Sequence, residues 1–426
     1  MGMTMAEKVL ARASGQEAVF SQEYVTASVD RIMSHEAFGA CARTLLGLGI
    51  TQLFDPERVV VVLDHFFPAP TPASAGIHRV IRQLVDRFGI RHFLGHAGIC
   101  HQVLSEQGYI LPGDLVLGTD SHSTTYGAFG AGGAGIGLTE MSYVLATGEI
   151  WMQVPPTTRF DLVGEPGAAL MSKDIALYIA GAFGTEVAQY RAIEFAGPLA
   201  SRMSIASRMT MSNMGVELGA KFAFFAADER TLTYLRERTG GPLAPFGPDP
   251  DARYEAVHEV DAGNVEPQVA CPHSPGNVKP VSQVENVRVD QAFIGSCTNG
   301  RLEDLAVAAE ILKGRRVNPG TRLLVTPASQ QVAREATAAG YTGVLLEAGA
   351  CITPAACGAC PGGHMGVLGA GEVCISSTNR NFRGRMVSPE AEVYLASPAT
   401  VAAAAVAGQI VDPREFWTDT PLCQEA

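Results

Sequence analysis

The sequence predicts an α/β fold of three domains built on parallel sheets. Three observations carry this: the length of 426 residues, short β-branched runs alternating with helical stretches, and polar residues closing each run. A chain this long exceeds what one hydrophobic core ordinarily fills, so two to four domains are expected. The apolar runs are 59–63 before Asp64, 115–117 before Asp120, 292–294 before Ser296, and 322–325. Helical patterns lie between them at 77–88, 302–313 and 330–339. Strand, loop and helix in alternation give parallel sheets, whose ligands sit at the carboxyl ends of the strands. Turn-rich stretches at 153–158, 240–251 and 272–280 divide the chain. The expected domains are 1–155, 156–255 and 256–426, and the Ala-rich 401–408 reads as a packed helix.

Composition narrows the classes. Hydrophobic residues at 47% with 17% charged residues describe a packed globular protein. The net charge of −12 argues against nucleic acid or an anionic membrane as the main partner. An anionic small substrate stays possible, since local arginines can outweigh the global field inside a cleft. No stretch reaches the roughly 18 continuous apolar residues of a membrane helix. Residues 1–16 carry Glu7, Lys8 and Arg12 without an apolar core, so they read as a helix and not a signal peptide. The expected compartment is the cytoplasm, where the nine cysteines are free thiols or metal ligands.

Three cysteines stand out. Cys297 lies in Ile294-Gly-Ser-Cys-Thr-Asn-Gly-Arg301, and Cys357 and Cys360 form Cys-Gly-Ala-Cys before Pro361-Gly362-Gly363. Two thiols three apart grip one metal or cluster, and a distant third completes a three-thiolate cradle. The CxxC alone leaves other readings open. One is a redox dithiol, although Pro and Gly follow it where a helix is usual. Others are a zinc site with His364 as fourth ligand, or small buried cysteines in a glycine-rich turn.

Titratable residues gather at the predicted strand ends. Asp64-His65 closes the first run, and a carboxylate beside an imidazole holds it in one tautomer or keeps it protonated. Leu111-Pro-Gly-Asp-Leu-Val-Leu-Gly-Thr-Asp-Ser-His122 places Asp120, Ser121 and His122 after the second, with His101 upstream in Gly98-Ile-Cys-His-Gln102. Asn213 and Glu217 are four apart, hence on one face of a predicted helix. Arg380, Arg383 and Arg385 supply guanidinium forks suited to carboxylates, with Arg383 the one expected in solvent and Phe382 on a cleft wall. Gly130 to Gly135 formally fits GxGxxG, but no strand immediately precedes it, which excludes a dinucleotide site.

Taken together, 295–301, the CxxC and Cys374-Ile-Ser-Ser-Thr-Asn-Arg-Asn-Phe-Arg-Gly-Arg-Met386 resemble the ligand loops of the aconitase family, in the same order. The Asp-His, Gly-x-x-His-Gln and Thr-Asp-Ser-His elements are similar to that family's too, and the isopropylmalate dehydratase branch is nearest. The resemblance implies three α/β domains of the large-subunit type around a central iron–sulfur cluster, without a swivel domain. It implies a 4Fe–4S cluster on Cys297, Cys357 and Cys360 with one open iron. It also implies Asp64, His65, His101, Asp120, His122 and Glu217 as catalytic residues and Ser121, Arg380 and Arg385 as substrate-binding ones. Asp120 would pair with His101, and Glu217 with His122; Asn213 and Asn379 would lie near the cluster, and 130–135 would open a packed helix. Cys41, Cys100, Cys271, Cys351, Cys374 and Cys423 are assigned to structure.

The activity implied is dehydration and rehydration of a malate-type acid, 3-isopropylmalate first. Homoaconitate, maleate or citraconate and 2,3-dimethylmalate are rivals, and a non-catalytic iron sensor or a zinc protein is the contrasting class. Met33-Ser-His-Glu-Ala-Phe-Gly-Ala40 departs from the family's pattern at His35 and Glu36, which bears on the substrate. The chain ends at Ala426, soon after the last ligand block. A separate small subunit is therefore expected to supply the serine base and close the site.

Overall fold

The structure is a computed structural model that describes residues 2–284 and 286–417. Parallel strands order three of its four sheets, the fourth being the antiparallel pair Tyr24–Ser28 and Glu149–Gln153. The first runs His92–Gly95, Val59–Val62, Arg31–Ser34, Leu115–Gly118, Gly132–Gly135, all parallel. Val59–Val62 is buried at every position, as a strand covered on both faces must be. The second sheet runs Phe222–Phe225, Ala192–Ala196, Thr157–Val163, Ala256–Asp261, also parallel. Ala256–Asp261 thus pairs with the middle sheet, not with the third unit where the sequence reading put it. The third sheet has seven strands; Gln268–Ala270 and Val278–Pro280 run antiparallel at one edge and the other five are parallel. Among the described residues no helix is long and apolar enough to cross a membrane.

The glycine-rich stretch is a strand, Gly132–Gly135, and not the opening of a helix; the next helix starts at Leu138. Close packing is the reason. A Cβ on Gly133 would lie 2.2 Å from the Ser123 carbonyl oxygen, and one on Gly135 would lie 2.7 Å from that of Asp120. The Asp120–Ser123 turn lies directly on this strand, and only glycine admits it there.

Two buried titratable side chains anchor the helices around the second sheet. Glu194, on the second sheet, accepts from the Met5 backbone N–H at 2.7 Å and from Tyr254 Oη at 2.8 Å. It therefore fixes the helix Met5–Ser14. Burial raises its pKa from 4.5 to about 7. A carboxyl raised on folding stabilises fully below its unfolded value and progressively less as pH rises through the folded one. Glu194→Gln should therefore match the parent near pH 4 and be the more stable by about 1–3 kcal/mol near pH 8. Urea unfolding across pH measures this.

Arg208 is the second. Its side chain is 1% exposed and forks onto Asp228 at 2.9 and 2.6 Å, with a further bond to the Ser201 carbonyl. It anchors Ile205–Met214, the helix that carries Asn213 in its last turn. Arg208→Met should lower unfolding stability by about 2 kcal/mol, the scale of a lost charge-assisted bond.

Candidate active site

The carboxyl ends of three neighbouring strands of the first sheet build one wall. Val59–Val62 leads to Asp64 and His65, Leu115–Gly118 to Asp120 and His122, and Arg31–Ser34 to His35 and Glu36. Asp64 is fully buried; its Oδ1 lies 2.7 Å from His65 Nδ1 and its Oδ2 accepts from the Cys100 backbone N–H at 2.7 Å. His65 Nε2 faces Asp120 Oδ2 at 3.4 Å. Asp120 Oδ1 meets His101 Nε2 at 2.8 Å and accepts from the His122 backbone N–H at 2.8 Å. His122 Nε2 continues to Glu217 Oε1 at 2.9 Å, and Arg380 Nε reaches that same oxygen at 2.7 Å. One chain of acid–base contacts thus runs Asp64–His65–Asp120–His122–Glu217–Arg380, with His101 as a branch.

Burial alone would neutralise these groups, but their partners win. Against burial, hydrogen bonds from His101, His122 and His65 hold the Asp120 carboxyl well below the usual carboxylate range. Against burial, Cys357, Asp64 and Asp120 raise His65 well above the ordinary histidine value. Glu217 is lowered by His122 and Arg380 despite its burial. His101 differs: burial prevails over Asp120 and lowers its pKa, favouring the neutral ring. A protonated imidazole between ionised carboxylates is a proton donor held ready.

The third sheet supplies the facing wall. Gln291–Ile294 leads to Cys297, and Val373–Ser376 leads to Asn379 and Arg380. Asn213 and Asn379 donate through Nδ2 to Cys297 Sγ at 3.2 and 3.4 Å. Cys360 Sγ lies 3.7 Å from Asn379 Oδ1, and Arg385 Nη2 donates to it at 3.2 Å. Cys357 Sγ is 3.9 Å from His65 Nδ1, while its backbone N–H donates to the Asp64 carbonyl at 3.0 Å. Cys357 thus touches the acid–base chain directly, and Cys297 and Cys360 are held by Asn213, Asn379 and Arg385 beside it. Burial raises the Cys297 thiol to about 12 and lifts Cys357 well above its ordinary value.

The donor set fits a polynuclear cluster and not a single ion. Tetrahedral zinc at about 2.3 Å would bring its sulfurs to about 3.8 Å of one another. Among the described residues the three thiols form no group of ligand atoms all within 4.8 Å, nor does His364 join them. The group that does is His35, Glu36, Asp64 and His65. The amide and guanidinium N–H groups aimed at Cys297 and Cys360 are the bonds that cluster thiolates accept.

Several expectations need correction. Asn213 lies in the last turn of the helix Ile205–Met214, and Glu217 lies on a separate 3-10 turn, Gly215–Leu218, so they do not share one helix face. The break still brings Asn213 to Cys297 and Glu217 to His122. Phe382 is 48% exposed, not packed into a wall; Arg383 is exposed, as expected. Cys41, Cys100, Cys271, Cys351 and Cys374 are free thiols. Cys423 lies outside the described residues.

Sequence reasoning also missed residues. His35 stacks on His65 with ring centres 4.1 Å apart. Glu36 accepts from the backbone N–H groups of His65 and Phe66 at 3.3 and 3.0 Å. The segment that departs from the family's pattern therefore cradles the imidazole. Arg301, buried, donates to the carbonyls of Cys297 and Thr298 at 2.5 and 2.6 Å and to Gln102 Oε1 at 3.1 Å. Its place in the cysteine motif was the available signal.

The sequence model of the aconitase family (aconitate hydratase) matches residues 7–286 and 277–408. The 3-isopropylmalate dehydratase large subunit 1 of Methanopyrus kandleri is 48% identical over 418 residues, 98% of this chain and all of that one. The 3-isopropylmalate dehydratase large subunit of Aquifex aeolicus is 44% identical, covering 97% of this chain and 98% of its own. A probable methanogen homoaconitase large subunit of Methanothermobacter thermautotrophicus is also 44% identical, with the same coverage. Aconitase X of Thermococcus kodakaraensis shares the fold at a TM-score of 0.51 and 14% identity, over 86% of this chain and 88% of that one. Matched by that family's model over most of its length and by relatives along nearly all of it, the chain belongs to the aconitase family.

Proposed function

We propose that the chain is the large subunit of a hydro-lyase that dehydrates and rehydrates 3-isopropylmalate in the cytoplasm. The observation that carries this is the contact chain from Asp64 to Arg380, with Cys357 against His65 and the N–H groups of Asn213, Asn379 and Arg385 aimed at Cys297 and Cys360. Similarity over whole chains to relatives named for that substrate supports it. Cys297, Cys357 and Cys360 would hold a 4Fe–4S cluster with one iron free of protein ligands, and that iron supplies a Lewis acid to the substrate hydroxyl.

The remaining roles fall to side chains of this protein. His65, kept cationic by Asp64 and Asp120, delivers the proton to the departing hydroxyl. His101, neutral by burial, fixes Asp120 from behind. His122, anchored by Glu217, orders the hydroxyl or water. Ser121 and Arg385 hold substrate carboxylate, and so do the Nη groups of Arg380, whose Nε is spent on Glu217. A separate small subunit supplies the serine base that takes the α-proton and closes the site.

A second reading, homoaconitate, is favoured by the 44% identical methanogen relative. The two separate in one assay. The chain, purified anaerobically and mixed with its genomic-neighbour small subunit, is given isopropylmalate, homocitrate and maleate, and alkene absorbance is followed. Fastest turnover of isopropylmalate, and none by the chain alone, is expected. Faster turnover of homocitrate would transfer the assignment.

A further inference from the structure

Behind the cysteine loops lies a cation that the reaction does not use. Lys173, in the helix Ser172–Phe183, is fully buried. Lysine is almost never buried without a counter-charge. Among the described residues no carboxylate stands in ion-pair contact with it. Its ammonium donates instead to two consecutive backbone carbonyls, Ser377 at 3.4 Å and Thr378 closer still. Carbonyls offer dipoles but no net charge. The ionisable groups that act on its charge are Cys360, Glu217, Cys297, its neighbour Asp174 and Asp304, whose carboxylate is held by Asn299 and the Arg301 backbone N–H. Asp174 is occupied elsewhere, accepting from the backbone N–H groups of Met171 and Gln268 at 2.9 and 3.0 Å. Glu217 is spent on His122 and Arg380. Burial lowers the lysine's pKa to about 8.

The two carbonyls belong to the segment that serves both walls of the site. Ser377 Oγ accepts from the Gly295 backbone N–H at 3.0 Å, which ties the segment to the Cys297 loop. Asn379 follows and donates to Cys297 Sγ; Arg380 follows that and pairs with Glu217. Displacing this segment would therefore disturb a cluster ligand and the acid–base chain together.

We propose that Lys173 is a positioning residue whose ammonium is the counter-charge of the cysteine-held cluster and the clamp on the 377–380 segment. This rests on the cluster reading above. Three thiolates and the iron–sulfur core carry net negative charge, and a desolvated cation close behind them offsets it where water cannot.

The test uses the full chain, reconstituted anaerobically with iron and sulfide, as parent, Lys173→Gln and Lys173→Arg. Glutamine keeps a donor for a carbonyl but removes the charge; arginine keeps both. Lys173→Gln should load, then lose iron to a chelator about tenfold faster than the parent, the scale of a lost supporting contact. Its reduction potential should move to more negative values, because an added electron loses its nearby cation. Lys173→Arg should stay within about twofold of the parent in iron loss. Equal potentials and equal iron loss in parent and Lys173→Gln would overturn the proposal. A parent that takes up no iron and sulfide would instead remove the cluster reading beneath it. Should the glutamine variant not fold, the parent suffices. Lysine-selective NMR should show Lys173 holding its proton to higher pH in the loaded chain than in the cluster-free one, and identical titration in both would overturn the proposal.

Discussion

Replacing Cys297, Cys357 or Cys360 by Ala should abolish turnover, by at least about 10³-fold, and strip iron from the purified chain. A Lewis acid at the hydroxyl contributes several kcal/mol, and each ~1.4 kcal/mol is a factor of ten in rate. The loss should be equal at the three positions, because a cubane held by two thiolates does not persist. Cys271→Ala and Cys374→Ala are the controls. Neither thiol borders the acid–base chain: Cys374 packs in the core and Cys271 lies half-buried just after the strand Gln268–Ala270. Both variants should load iron as the parent does. Iron and sulfide analysis beside initial rates decides it, and full loading of Cys357→Ala would contradict the assignment.

The second large effect belongs to His65. His65→Asn should lower kcat by about 10²–10⁴, the range of a lost general acid, while iron content stays at the parent's level. KM should change little, since the proton is delivered in the step and not in binding. Glu36→Gln should show a weaker form of the same loss, because Glu36 holds the His65 and Phe66 backbone N–H groups and not the reacting atoms. A His65→Asn variant with an unchanged kcat would assign the acid to His122 instead.

Much of this site was legible because its residues follow strands. Asp64, Asp120 and Cys297 each come two or three residues after an apolar run, where an α/β sheet presents its ligands. What was not legible depends on packing between distant segments. Nothing local distinguishes the glycines of 132–135 as a strand; the Asp120–Ser123 turn lying on them decides it. The helix read as starting at residue 77 begins at Pro72, because Thr71 caps it and proline suits its first turn. Asn213 and Glu217 looked like helix neighbours by spacing, yet the chain tightens to a 3-10 turn between them. Lys173 sits in an apolar helical pattern, and only the carbonyls of Ser377 and Thr378 explain its presence there. Glu36 and His35 were visible as a departure from a pattern, but the stacking of His35 on His65 and Glu36's hold on the His65 and Phe66 backbone needed the sheet order to appear.

The central claim is a cluster with one iron open to substrate on a chain that holds the acid but awaits its base. Mössbauer spectroscopy of the chain alone, reconstituted with ⁵⁷Fe, tests it most directly. The spectrum should resolve a 4Fe–4S cluster, and adding a 2-hydroxy dicarboxylate without the small subunit should shift the signal of one iron in four. A mononuclear iron spectrum, or a cluster whose four irons ignore the hydroxy acid, would contradict it.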